Sequence, residues 1–220
     1  MVNDNTLTKQ RLILTFGKFG ALKYTSNLDL AKIWERVLRR ANLPILYSKG
    51  FNTRPKIQLA SALPLGITSE SEFLDVSLRE MIALDGLIEQ IEAVSPDGLR
   101  IFAITEASIH TPALQTLVRS AEYRFQFESG MDRDLLNERI DSLLATGSLI
   151  RSEERRGRKI AFDLRPLIYE LRVDDSGDLI AHLAAGEHGN FRPDDLLTEL
   201  DLQDQHCSVH RLKLHLENSK

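Results

Sequence analysis

The run Arg11-Leu12-Ile13-Leu14-Thr15-Phe16, the break at Gly17-Lys18-Phe19-Gly20, and the spaced set Leu30, Ile33, Trp34, Val37, Leu38 and Ala41 together decide the fold. The first run alternates apolar and polar residues, the signature of a half-buried strand. Ser26 or Asn27 can cap a following helix, and the spaced apolar set recurs at i, i+3 and i+4, which gives that helix one apolar face. Asn42 and Pro44 end it. Ile45-Leu46-Tyr47-Ser48 starts a strand that Lys56-Ile57-Gln58-Leu59 resumes after a turn-rich stretch. Phe73 to Leu78 alternates again. Leu84, Leu87, Ile88, Ile91 and Val94 form a second amphipathic helix closed by Ser95-Pro96-Asp97-Gly98, and Leu99 to Ile104 is a last strand. The order is strand, helix, strand, strand, helix, strand.

The order then recurs. Thr111-Pro112 caps a short connecting helix with Leu114, Leu117 and Val118. Tyr123 to Phe127 is a strand. Asp132 caps a helix carrying Leu135, Leu136, Ile140, Leu143 and Leu144, with Gly147 as its C′ residue. Leu149-Ile150 opens a strand that Lys159 to Phe162 resumes. Leu179 to Leu183 follows the turn Asp174-Asp175-Ser176-Gly177-Asp178, Pro193 starts a helix with Leu196, Leu197 and Leu200, and Val209 to Leu214 closes the pattern. The expected class is therefore α+β: two ferredoxin-like βαββαβ repeats, mainly antiparallel sheets with helices on one face. The expected division is 1–107 for the first repeat, 108–120 for a helical connector and 121–220 for the second repeat.

Composition narrows the setting. No window approaches the ~20 apolar residues of a membrane span, and the polar start Met1-Val2-Asn3-Asp4-Asn5 does not resemble a signal peptide. A single cysteine, Cys207, excludes an internal disulfide framework and suits a reducing, cytoplasmic compartment. The net charge of −4 is unevenly spread: residues 1–60 hold eleven Lys/Arg against three Asp/Glu, while the rest of the chain is acidic. A basic segment on an acidic body implies a local anion-binding face, or a solvated helix that pairs with the acidic half.

Three stretches could grip an anion. The polar side of the first helix carries Lys32, Arg36, Arg39 and Arg40, one turn apart, a stripe able to neutralise phosphates; cations favouring a helix C-terminus are the alternative for the last two. The stretch from Tyr47 to Lys56 interleaves Tyr47 and Phe51 with Lys49, Arg54 and Lys56 around Gly50, a pattern for stacking bases and holding a backbone, or simply a basic hairpin. Arg155-Arg156-Gly157-Arg158-Lys159 could be a basic hairpin tip, with Glu153 and Glu154 beside it as neutralising partners.

Catalytic patterns are thin. His206, Cys207, His210 and His215 cluster, but their spacing does not make a zinc site, and no metal or cofactor is expected. No Gly-x-Ser-x-Gly, P-loop, calcium loop or Cys-x3-Cys-x2-Cys occurs. Glu70 and Glu72 read as a solvated pair.

Several motifs resemble one bacterial family: Tyr24 to Leu30, Trp34 to Ala41, Leu43-Pro44, Tyr47 to Asn52, Pro55-Lys56-Ile57, Leu63 to Ile67, Ser69-Glu70 and Ala121-Glu122-Tyr123. In the second half, Arg156 to Lys159, Asp163 to Ile168 and Phe191-Arg192-Pro193 fit as well. The family they resemble is the radical-SAM-associated domain of unknown function, usually fused to or encoded beside a radical SAM protein. Members typically carry a histidine where this chain has Asn27 and another where it has Arg54, so a paired-histidine role does not transfer. The resemblance implies a radical SAM partner. The expected function is a non-catalytic recognition module that binds RNA or an RNA-like polyanion and presents it to that partner. The ligand-binding residues would be Asn27, Asp29, Lys32, Arg36, Arg39, Arg40, Tyr47, Lys49, Phe51, Asn52, Arg54 and Lys56. Asp29 and Asp163 could instead orient arginines inside the fold. An RNA-processing enzyme using Asp29, Glu35 and Tyr47, and a protein–protein adapter without nucleic acid, are the alternatives.

Overall fold

Strand β1 (Gln10–Lys18) buries Leu12, Leu14 and Phe16 on one face, the alternation read from its sequence. The structure, a computed structural model, describes residues 7–128, 130–155 and 158–217, of which 153–155 and 158–160 by backbone alone. The chain divides into two compact units, Met1–Val118 with Leu216–Lys220, and Arg119–His215.

In the first unit, helix α1 (Asn27–Arg40) follows β1 through a short 3-10 turn at Gly20–Tyr24. Its N-cap is Ser26, whose hydroxyl accepts the Asp29 N–H and donates to the Asp29 carboxylate at 2.8 Å. This reciprocal cap fixes where the helix begins. Leu30, Trp34, Val37 and Leu38 are its buried face. Strands β2 (Ile57–Leu59) and β3 (Thr68–Leu78), helix α2 (Leu87–Glu92) and strand β4 (Leu99–Ala107) complete the repeat. β3 pairs antiparallel with both β1 and β2, and β1 pairs antiparallel with β4. The spatial order β4-β1-β3-β2 is the split-βαβ arrangement. The core lies between this sheet and the two helices, with Leu14, Trp34, Leu38, Leu74, Val76 and Leu78 wholly buried and Phe16 edge-on to Trp34 at 4.9 Å. Each aliphatic side chain of this set contributes about 1.5–3 kcal/mol by burial.

The second unit opens with strand β5 (Val118–Phe127), reached through the single-turn helix α3 (Leu114–Leu117). Helix α4 (Arg133–Ala145) has Asp132 as its N-cap, accepting the Asp134 and Leu135 N–H groups. Then come β6 (Ile150–Arg155), β7 (Arg158–Asp163), β8 (Ile168–Val173), β9 (Leu179–Ala184), helix α5 (Pro193–Glu199) and β10 (Cys207–Leu216). The sheet order β10-β5-β9-β8 repeats the order of the first unit. β5 is antiparallel to β9, as β9 is to β8. The odd positions of β5 (Ala121, Tyr123, Phe125, Phe127) are buried, while Arg124 and Gln126 are exposed on the opposite face. The fold class is thus α+β with mostly antiparallel sheet.

Several elements differ from their sequence reading. The second ladder strand of the second unit is β8, not the segments around Leu149-Ile150 and Lys159 to Phe162. Those two segments form a separate two-stranded hairpin, β6–β7, which lies between α4 and β8 in the chain. The cation-rich tip read at Arg155 to Lys159 lies outside the described residues at Arg156 and Gly157, and its other side chains are not described. α2 is shorter than its apolar spacing because Gly86 sits at its N-cap with φ 70°, and Leu84 and Val94 reach the core from outside the helix. Thr111-Pro112 does not cap α3; Ala113 does. Thr146 ends α4 in extended backbone, so Gly147 makes no left-handed cap. Glu72, read as solvated, is buried. The turn at Asp174 to Asp178 forms as read, with Asp174 Oδ1 accepting the Ser176 and Asp178 N–H groups.

Candidate nucleic-acid interface

The exposed side of α1 carries Lys32, Arg36, Arg39 and Arg40, with Asn27 and Asp29 exposed in its first turn. Burial of Leu30, Trp34, Val37 and Leu38 on the other side forces these cations outward. They are not equivalent. Lys32 Nζ is 3.2 Å from Asp29 Oδ1. The Ser26 hydroxyl, and then Lys32, hold the Asp29 carboxyl below its ordinary value. Among the described residues, Arg36, Arg39 and Arg40 have no ion-pair partner. Asp29 therefore belongs to the helix cap and to Lys32, not to an interior arginine. Asp163 likewise spends Oδ1 on the backbone N–H groups of Leu149 and Arg165.

The segment from Tyr47 to Lys56 is a closed loop rather than a continuous strand. Tyr47 and Pro55 form an isolated bridge, Ser48 N–H donates to Arg54 O at 2.8 Å, and Arg54 N–H donates to Ser48 Oγ at 2.9 Å. Ile45 bridges to Leu78, and Lys56 N–H donates to Leu46 O, which seats the base of the loop on the sheet. Gly50 takes φ 120°, the freedom the tip requires. Phe51 is 103 % exposed and Tyr47 38 %. Lys49, Asn52, Arg54 and Lys56 are exposed around them. The loop residues thus gather at one place, as the α1 residues do. Among the described residues, no hydrogen bond, ion pair or ring contact joins the two sets.

Beside Lys56 lies a cavity of about 410 Å³, lined by Arg11, Gln58, Asp75, Ser77 and Thr111 among others. Its buried cation is already committed. Arg11 Nε donates to Asp75 at 3.0 Å and Nη2 at 2.5 Å, while Nη1 and Nη2 also donate to the carbonyls of Ser108, Thr111 and Pro112. Lys56 is left as the cation of this cavity able to meet an incoming anion.

A second polar group lies on the sheet of the second unit, and sequence reasoning missed it. His182 Nε2 is 2.8 Å from Ser120 Oγ, and His215 Nε2 is 2.6 Å from Glu122 Oε1. The two imidazole rings are 4.9 Å apart, and Tyr169 stands edge-on to His182 at 5.2 Å. Burial, and then His215, push the His182 imidazole below its ordinary value. His206 and His210, grouped with His215 in the sequence, are not part of this contact. Among the described residues no three or more His, Cys, Asp or Glu side chains form a ready-made metal cage. No helix among them is long and apolar enough to cross a membrane.

Comparison with known proteins adds fold and family. A chain of the Cbf5-Nop10-Gar1 complex is similar over 92 % of this chain at 11 % identity, with a TM-score of 0.50. This chain spans about half of that one, 48 %. A putative glycine cleavage system transcriptional repressor aligns over 91 % of this chain and 95 % of its own at 14 % identity, with a TM-score of only 0.23. No curated protein matches. The profile described as "uncharacterized protein conserved in bacteria (DUF2344)" matches residues 11–193, and the chain belongs to that family.

Proposed function

We propose that the chain is a non-catalytic recognition module that binds RNA, or an RNA-like polyanion, and presents it to a radical SAM enzyme in the cytoplasm. The observation that carries this reading is Phe51. A wholly exposed phenyl ring stands at the tip of a hydrogen-bonded loop with Lys49, Arg54 and Lys56 around it. Water gives such a ring no stabilisation, whereas a nucleobase offers it a face, and the neighbouring cations suit the phosphates on either side. Arg36, Arg39 and Arg40 extend the cationic surface along α1. The radical SAM partner rests on the motif resemblance of the sequence.

The test is fluorescence anisotropy with a labelled single-stranded RNA. Stacking on an aromatic ring supplies about 1–3 kcal/mol per base, so Phe51→Ala should weaken binding roughly five- to hundredfold. Phe51→Trp should restore it. Equal affinity for wild type and Phe51→Ala removes the stacking role, and no measurable RNA binding removes the function.

A further inference from the structure

The geometry points to a divalent transition-metal site at the histidine pair on the sheet of the second unit, held by the Nδ1 atoms of His182 and His215. This inference goes beyond the polyanion reading and does not depend on it.

Each ring is held through one of its two nitrogens. A ligating histidine characteristically gives its other ring nitrogen to a carboxylate, carbonyl or hydroxyl, which fixes the tautomer and aims the lone pair. Both rings here show that arrangement. Glu122 is an acceptor only, so the 2.6 Å contact makes His215 Nε2 the donor. With the ring neutral, the lone pair is then on Nδ1. His182 Nε2 meets the Ser120 hydroxyl at 2.8 Å, and when it donates there its lone pair is also on Nδ1. Neither Nδ1 has a hydrogen-bond partner among the described residues.

Two imidazoles bound through one nitrogen each to a single tetrahedral ion, at about 2.0–2.1 Å, have ring centres roughly 5 Å apart. The observed separation is 4.9 Å. His215 and Glu122 side chains are 28 % and 32 % exposed, so an ion can reach the pair without unfolding the sheet. Tyr169 stands edge-on to His182, and Glu170 faces His182 across the β8–β9 register as a further carboxylate.

Two imidazoles make an incomplete protein ligand set. The remaining positions fall to water or to an oxygen of a bound molecule, which is the property of a site that takes a ligand rather than one that only holds a fold. Imidazole donors select zinc or copper over magnesium or calcium.

The experiment titrates the full chain with Cu²⁺ and reads the electron paramagnetic resonance spectrum, with Zn²⁺ followed in parallel by calorimetry. The expected result is one ion per chain with coupling to imidazole nitrogens. His215→Asn and His182→Gln should each abolish that signature, Glu122→Ala should weaken binding by about tenfold, and His206→Asn should leave it unchanged. Circular dichroism checks each variant. If His182→Gln does not fold, His215→Asn, at a partly exposed position, decides the matter alone. Absence of stoichiometric binding, or a copper signal that survives His215→Asn, overturns the site.

Discussion

Replacing Arg36, Arg39 and Arg40 by alanine should change how RNA affinity depends on salt, and the size of the change follows from the geometry of α1. All three guanidinium groups are exposed and have no ion-pair partner among the described residues. Each can therefore displace one condensed counterion from a single strand. Loss of three such contacts should reduce the slope of log K against log salt by about 2, at ~0.7 per phosphate. Between 50 and 200 mM salt, the wild type should then lose roughly 20-fold more affinity than the triple variant. Alanine is a good helix former, so the helix should persist. The lost cations in its last turn cost only about 0.3–1 kcal/mol each. Lys32 is the internal control, because it is already paired with Asp29. Lys32→Ala should change the slope less than any one of the three arginines, and Asp29→Asn should make Lys32 more effective. Anisotropy titrations of a labelled single strand at four salt concentrations measure this. An unchanged slope in the triple variant, or a larger effect from Lys32 than from Arg36, would refute the reasoning.

Three further outcomes follow from other sites. Asp75→Ala leaves the buried Arg11 guanidinium without its carboxylate, and urea unfolding should show a loss of about 3–5 kcal/mol; a loss below 1 kcal/mol would mean that the carbonyls of residues 108–112 suffice. Burial, and then Asp174, raise the Asp178 carboxyl above 3.8. The native state therefore keeps a proton that the unfolded chain releases, so this group's contribution is full below pH 3.8 and fades as pH rises through the native value. Asp178→Asn should raise the melting temperature at pH 7 and lose that advantage in acid. Burial, and then Asp194 and Glu128, push the Cys207 thiol above 9.0, so it should react with a disulfide reagent at pH 7.5 more slowly than free cysteine, and equal rates would contradict its half-buried position.

The parts of this fold that were legible in the sequence are those governed by local periodicity. α1 could be read because Leu30, Trp34, Val37 and Leu38 follow a 3.6-residue repeat after a Ser cap, and its cations had to face outward as a result. The role of Asp29 was also within reach, since Ser26 and Asp29 are spaced as a capping pair. β8 was not legible: the register shift between Ile168 and Glu170 spoils its alternation, and the β6–β7 hairpin offers two more convincing strands just before it. The histidine pair joins β9 to β10, and no local pattern announces a contact between residues so far apart in the chain. Arg11 and Asp75 were hidden for the same reason. Each sits at a position of strand alternation where a solvated residue was the natural reading.

Arg11 has one more consequence. The segment after β4, running from Ser108 to Pro112, has the composition and placement of a protease-sensitive linker, with exposed Ile109 and His110. Three of its carbonyls are clasped by one buried guanidinium. Cleavage requires a segment to peel away from its support, and this one is pinned from beneath. Limited digestion should spare the bond between the two repeats and begin elsewhere, and a protease would reach it only after the Arg11 clasp had opened.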